Sequence, residues 1–288
     1  MPEDLLAGGA GIALMGLFGL LVGSFLNVVI HRLPKMMERE WTAECAAMLA
    51  EGAPSAEPAG DTFNLVVPRS RCPSCGHSIT WYENVPVISY LLLRGKCSSC
   101  KAAIGLRYPA VEVATGALFA VCAARWGVGP AGLAWCGFSA ALVALAAIDW
   151  DTTLLPDDIT LPLLWAGLIV AALGWNSGVS LGASLWGAVG GYLSLWLVYW
   201  AFRLLTGKEG MGYGDFKLYA ALGAWFGWTG LVPIILMASV IGSVVGIAMK
   251  LTSRLREGGY VPFGPFLAGA GLTAMIAGPQ TILRTVGL

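Results

Sequence analysis

Charge is what this chain has least of. Only 12% of its 288 residues are Asp, Glu, Lys or Arg, and 17 basic residues balance 17 acidic ones. A neutral chain without a basic surface has little to offer a phosphate backbone, which excludes nucleic acid as a partner. Histidine is nearly absent, with only His31 and His77. No H-E-x-x-H pair, no Ser–His couple and no Walker lysine can be read, so zinc proteolysis, serine hydrolysis and P-loop chemistry fall away. The Gly-rich GKEGMGYG (207–214) follows no strand and is no nucleotide fingerprint.

What remains is mostly apolar. Hydrophobic residues make up 57% of the chain, with 39 Gly and 12 Trp, and the mean hydropathy is +0.73. Such a composition describes a polytopic helical membrane protein. The opening MPEDLLAGGAGIALMGLFGLLVGSFLNVVI has no Lys or Arg ahead of its apolar core and no small-residue cleavage pattern. It reads as a retained first span, not a removed signal.

About 20 apolar residues cross about 30 Å of hydrocarbon. Spans are predicted at 8–30, 109–126, 131–148, 159–175, 181–203, 216–228, 231–250 and 262–282. The run 218–249 is too long for one untilted helix, and Gly227, Gly230 and Pro233 divide it. With the N-terminus outside, fifteen of the 17 basic residues lie inside, and only Arg125 and Arg284 lie outside. Merging the sixth and seventh spans would move Lys250, Arg254 and Arg256 to the wrong face.

The expected fold is therefore an all-α polytopic membrane protein of about eight transmembrane helices with a small cytoplasmic zinc-ribbon-like insert. Residues 1–30 form the first span, 31–108 the insert with its cysteine module over about 63–105, and 109–288 a seven-helix core. Lys35–Gly60, rich in Ala, Glu and Pro, reads as a short helix and a mobile linker. NLVVP after Phe63 predicts a strand.

Seven cysteines are an odd number, which discourages a disulfide framework. Cys72/Cys75 and Cys97/Cys100 form two C-x2-C knuckles, the pattern of a tetrahedral four-thiolate zinc site, and a reducing cytoplasmic setting favours metal over disulfides. Such a site is coordinatively closed, so the zinc is structural and activates no water. His77 is a further ligand candidate, though a hydrogen-bonded surface role suits it better. Cys45, Cys122 and Cys136 read as packing residues.

Two acids need another explanation. Asp149 in IDWDTTLLPDD and Asp215 in GMGYGDF sit where apolar stretches meet short polar loops, and the eight-span topology puts both at the cytoplasmic face. Two carboxylates sharing one proton can hydrolyse a peptide, one as base on water and the other as acid to the amide. Gly210, Gly212 and Gly214 leave room for a peptide backbone. Asp157 and Asp158 follow Pro156 and read as N-cap residues; Asp151 would face away from Asp149 on a continuing helix. Spacing alone does not choose between Asp149 and Asp151. An alternative is a proton- or ion-coupled transporter with a zinc-ribbon docking module, whose acids would lie at mid-membrane and not at helix ends.

Six segments together resemble the type IV prepilin peptidases, the prepilin leader peptidase/N-methyltransferases. They are GSFLNVVIHRLP (23–34), CPSCGHSITWYENVPVISYLLLRGKCSSC (72–100), RYPAVE (107–112), DWDTTLLPDDITLPLLWAGL (149–168), GMGYGDFKL (210–218) and VPFGPFLAGAG (261–271). They follow the family's order over most of the chain. The resemblance implies that Asp149 and Asp215 are the catalytic aspartates of a membrane enzyme of the bacterial inner membrane. The implied substrates are prepilins or pseudopilins of type IV pilus and type II secretion systems, each with a short basic leader and an apolar helix, cut after Gly at the cytoplasmic face. The new N-terminal residue, usually Phe, is then methylated from S-adenosylmethionine. Asn27, Arg32, Asn84, Arg94, Gly95 and Glu112, polar or close-approach positions in the matching motifs, are the candidates for the methyl-donor site.

Overall fold

The computed structural model describes residues 8–49, 62–176, 178–252 and 261–286. Its helices are α1 (Gly9–Leu49), α2 (Ile88–Leu92), α3 (Arg107–Trp126), α4 (Pro130–Thr152), α5 (Asp157–Ala172), α6 (Leu181–Thr206), α7 (Tyr213–Phe226), α8 (Trp228–Leu251), α9 (Gly264–Ala277) and α10 (Pro279–Val286). All eight predicted spans fall on helices. Four of these, α1, α4, α6 and α8, are long and apolar enough to cross a membrane. The other four, α3, α5, α7 and α9, are shorter or more polar.

Three boundaries differ from expectation. The helix that carries the first span does not end with it at residue 30, because α1 runs through Pro34 to Leu49 as one helix of 41 residues. The short helix expected after Lys35 is its continuation, and residues 50–60 of the predicted linker lie outside the described residues, as do Arg254 and Arg256. The last span divides at Gly278 (φ 85°) and Pro279, where a left-handed glycine and a proline end one helix and begin the next. NLVVP is a turn, not a strand: Asn64 Oδ1 accepts the amides of Val66 and Val67 at 2.8 and 2.7 Å. Those amides are thereby taken from any ladder.

The chain forms two compact units. In residues 13–120, α1 and α3 cross at glycines. A side chain on Gly19 would meet the Cα of Gly116 at 2.8 Å, and one on Gly23 the Cα of Glu112 at 2.6 Å. Small residues on both helices let the backbones touch.

In the second unit α7 is the central helix. Every residue from Asp215 to Phe226 except Lys217 is buried, and a helix apolar nearly all round belongs inside a bundle. It packs against α5, α6, α8 and α9. Gly187 of α6 and Gly223 of α7 leave no space for a side chain, since a Cβ on either would meet the other's carbonyl oxygen. One end of the bundle is closed by aromatic rings, with Phe138 and Trp225 at 4.7 Å and Trp135 and Trp225 at 4.8 Å between centroids.

Candidate active site and metal centre

That aromatic plug fixes the depth of the acids. Asp149 follows Phe138 by eleven positions on α4, and Asp215 precedes Trp225 by ten on α7. At 1.5 Å per residue both lie about 15 Å from the plug, at the same end of two antiparallel helices. The Asp149 carboxylate is within electrostatic reach of Asp215. Both side chains are buried, at 4% and 6% exposure, and Asp215 Oδ1 has no hydrogen-bond partner among the described residues. Burying a carboxylate is costly, so two buried together at one depth mark a candidate functional site.

Neighbouring elements hold the two acids together. Gly264 opens α9 directly against Asp149, so a side chain there would meet Asp149 Oδ2 at 2.5 Å. Leu155, from the loop after α4, touches both neighbours of the pair: it is 2.7 Å from where a Gly214 side chain would stand and 3.2 Å from that of Gly264. Of the three glycines before Asp215, Gly214 is filled by Leu155 and Gly210 by Phe202, while Gly212 faces open space. Asp215 sits in the first turn of α7, and its amide donates to the Gly212 carbonyl at 3.2 Å.

The competing acids lie elsewhere. Asp151, Asp157 and Asp158 are exposed. The N-cap of α5 is Pro156, so neither Asp157 nor Asp158 caps it; both instead occupy its first turn, where a helix end favours negative charge. Asp157 takes the Lys217 ammonium on both oxygens at 2.7 Å, clamping α5 to the α7 turn that carries Asp215. The loop before α7 has its own brace. Arg203 Nη1 donates to the Tyr199 hydroxyl at 2.9 Å, which donates to Glu209 Oε1 at 3.3 Å.

The four module cysteines converge. Their sulfurs all lie within 4.8 Å of one another, and Cys72 and Cys100 are 3.8 Å apart. Four thiolates around one zinc at 2.3 Å stand about 3.8 Å apart, so the cluster fits a metal with slight contraction. The knuckles repeat one another. The Cys72 and Cys97 amides donate to the carbonyls of His77 and Ala102, each five positions on, and Gly76 (φ 72°) and Lys101 (φ 60°) make the same left-handed turn. The ribbon is reduced to these turns and two isolated bridges, Arg71–Ser78 and Lys96–Ala103. Amides of Ser74 and Cys75 pull the Cys72 thiol down to about 6, and those of Cys100 and Ser99 lower Cys97. At Cys100 the Ala102 amide pulls down but the neighbouring thiols, Cys75 first, and burial push the group up to about 11, so thiolates form readily at Cys72 and Cys97 and suit a cation there. His77 Nε2 lies 3.3 Å from Glu83 Oε2 and is not one of the four ligands.

Most of the methyl-donor candidates make local contacts. Asn27 Nδ2 donates to the Tyr108 carbonyl at 3.1 Å. Arg32 donates to the carbonyls of Asn64 and Pro68 at 2.9 and 2.5 Å. Glu112 Oε2 accepts the Val87 amide at 2.8 Å, holding a β-branched residue at φ 60°, a strained conformation of the kind that collects at functional sites. Gly95 (φ 67°) lies under the Tyr90 hydroxyl, which a side chain would meet at 2.8 Å. Asn84 and Arg94 are exposed. Sequence reasoning gave no role to Leu155, Gly264 or Tyr199; Gly264 stood in a matched motif, but only the fold shows what it faces.

Comparison with known proteins agrees along the chain. Residues 17–126 match the family model described as Bacterial Peptidase A24 N-terminal domain, and residues 136–247 match Type IV leader peptidase family. A prepilin leader peptidase/N-methyltransferase of Stutzerimonas stutzeri is 53% identical, over 91% of this chain and 89% of its own. One of Burkholderia pseudomallei is 51% identical over 97% and 89%, and one of Pseudomonas aeruginosa 54% over 93% and 91%. No solved structure matches this chain.

Proposed function

Because the chain belongs to the prepilin leader peptidase/N-methyltransferase family, we propose that Asp149 and Asp215 are the acid pair with which it cuts the leader from type IV prepilins and pseudopilins. The observation that carries this reading is two buried carboxylates at one depth, within electrostatic reach of each other, in the last turn of α4 and the first turn of α7, two helices that both pack on α5 and α9. A single proton is shared between them. The ionised carboxylate takes a proton from water, whose oxygen attacks the carbonyl carbon of the leader's last glycine. The protonated partner hydrogen-bonds the carbonyl oxygen and then gives its proton to the departing amide nitrogen. The products are a leader ending in a glycine carboxylate and a free amino terminus. Acids at terminal turns disfavour the ion-coupled transporter, which needs them near mid-helix.

The new amino terminus is the acceptor for N-methylation, and S-adenosylmethionine is the donor. We place the donor in the cysteine-bearing unit. There Asn84 and Arg94 present exposed polar side chains, Gly95 adjoins Arg94, and Asn27, Arg32 and Glu112 bond backbone of the same unit at Tyr108, at Asn64 and Pro68, and at Val87. Cys72, Cys75, Cys97 and Cys100 hold structural zinc. The charge asymmetry supports an inner-membrane enzyme with a periplasmic N-terminus and both chemistries facing the cytoplasm.

The test is cleavage of a purified prepilin by Asp149→Asn and Asp215→Asn made separately. Each should lose at least about 10³-fold in kcat/KM, as loss of a catalytic acid or base does; near-normal cleavage by either variant would overturn the pairing.

A further inference from the structure

On the outer side of the second unit a groove of about 440 Å³ runs between α6, α8 and the start of α9. We propose that it receives the apolar membrane helix of the substrate and holds it in register with the two acids. The proposal rests on the peptidase reading above, because it takes its occupant from that activity.

Continuity identifies the occupant. Met211, which lines the groove, belongs to the loop that leads into Asp215, and Phe263, also lining it, immediately precedes the Gly264 that faces Asp149. A chain leaving the acid pair toward the apolar layer has this groove directly beside it. A substrate with its scissile bond at the membrane rim and its helix in the bilayer must leave in that direction.

The lining matches a helix better than lipid. Val198 gives one apolar wall. From α8 come Ser239, Gly242 and Ser243, small residues on one face at three- and four-residue spacing, the arrangement that lets two helix backbones approach. Gly242 itself packs on Phe266 of α9, which a side chain there would meet at 3.1 Å, so the two serines are what this face offers to a second helix. Ser239 and Ser243 are exposed. Serines on a helix commonly satisfy their hydroxyls on the carbonyl four residues back, yet no partner is found for either hydroxyl among the described residues. Hydrocarbon cannot satisfy a hydroxyl. A polar group on a docked peptide helix can.

Two measurements on the full-length enzyme test this. A photoreactive diazirine amino acid is placed at position 243 or, as a control, at position 197, an exposed α6 residue outside the groove. The probe is a purified prepilin retaining its membrane helix, in detergent micelles. Position 243 should crosslink to the substrate helix at least tenfold more than position 197. Crosslinking needs no turnover, so it reports on the groove even if the acid pair is not the hydrolase. Separately, the double variant Ser239→Leu, Ser243→Leu fills the groove with apolar bulk. The ratio of kcat/KM for helix-bearing prepilin over a leader–junction peptide without the helix should fall at least tenfold. Equal or reversed crosslinking, or an unchanged ratio in the folded variant, would overturn the groove. Failure of the reading beneath it would show differently, as cleavage surviving Asp149→Asn or Asp215→Asn.

Discussion

Gly264 has no side chain because Asp149 stands where one would go. A methyl group there would lie 2.5 Å from Asp149 Oδ2 and 3.1 Å from its Cγ. The carboxylate is short and buried, so it must turn away from Asp215 or push α9 back. Displacements of this size can cost about a hundredfold in rate. Gly264→Ala should therefore cleave prepilin about a hundredfold more slowly while melting within a few degrees of wild type. A normal rate would show that the glycine serves the helix and not the acid. Glu83 carries a different residue-scale consequence. The Ser98 hydroxyl, followed by the Thr80 hydroxyl and amide, holds it down to about 2, well below an ordinary carboxylate. A depressed carboxylate stabilises the folded state fully above about pH 4.3 and loses that contribution as pH falls toward 2. The melting difference between wild type and Ser98→Ala should be constant near neutrality and shrink below about pH 4. A pH-independent difference would mean that Ser98 acts through packing alone. Asp149 and Asp215 were visible in the sequence as charges that composition disfavours. Gly264 was not, because its contact joins residues more than a hundred positions apart.

Hydropathy located every long helix, and the Gly227 break between α7 and α8 was legible because a glycine divides a run too long to be one span. The continuation of α1 was not. Its charged second half, after Lys35, leaves the apolar pattern that marks a span, yet the helix accommodates Pro34 with one lost bond to the Ile30 carbonyl. The division of α9 from α10 carried a signal of its own, the Gly278–Pro279 pair followed by Gln280 and Thr281, but the pair fell inside a stretch of span length and was read as part of it. Nor could spacing show that α7, with only 14 residues, is the buried centre of the second unit. That follows from the glycines facing it, where Gly187 and Gly191 of α6 rest on backbone atoms of Gly223, Tyr219 and Ala220. Backbone cannot step aside as a flexible side chain can. Gly187→Val should lower stability by about 1–3 kcal/mol, the usual range for overpacking, read as an earlier unfolding transition in detergent. An unshifted transition would show that α6 and α7 have freedom the close approach denies them.

At the scale of the whole molecule, orientation decides whether the chemistry is possible, and the distribution of charge favours one orientation. On the proposed topology fifteen basic residues face one side against two on the other, a strong bias, and the helix order is consistent with it, since α5 and α6 make two crossings between α4 and α7. The proposed orientation would keep the cysteine module in a reducing compartment, where thiolates bind metal instead of pairing. The native cysteines report on this without added labels. Cys45, Cys75 and Cys100 are exposed, whereas Cys122 and Cys136 are buried. In intact cells a membrane-impermeant maleimide should leave the wild-type enzyme unlabelled and react with Arg284→Cys, an exposed position on α10 at the opposite face. After permeabilisation Cys45 should react at once, and Cys75 and Cys100 only when a chelator has removed their metal. Labelling of Cys45 from outside would invert the molecule. It would carry both aspartates to the periplasm and separate them from a substrate whose basic leader the same charge rule keeps in the cytoplasm.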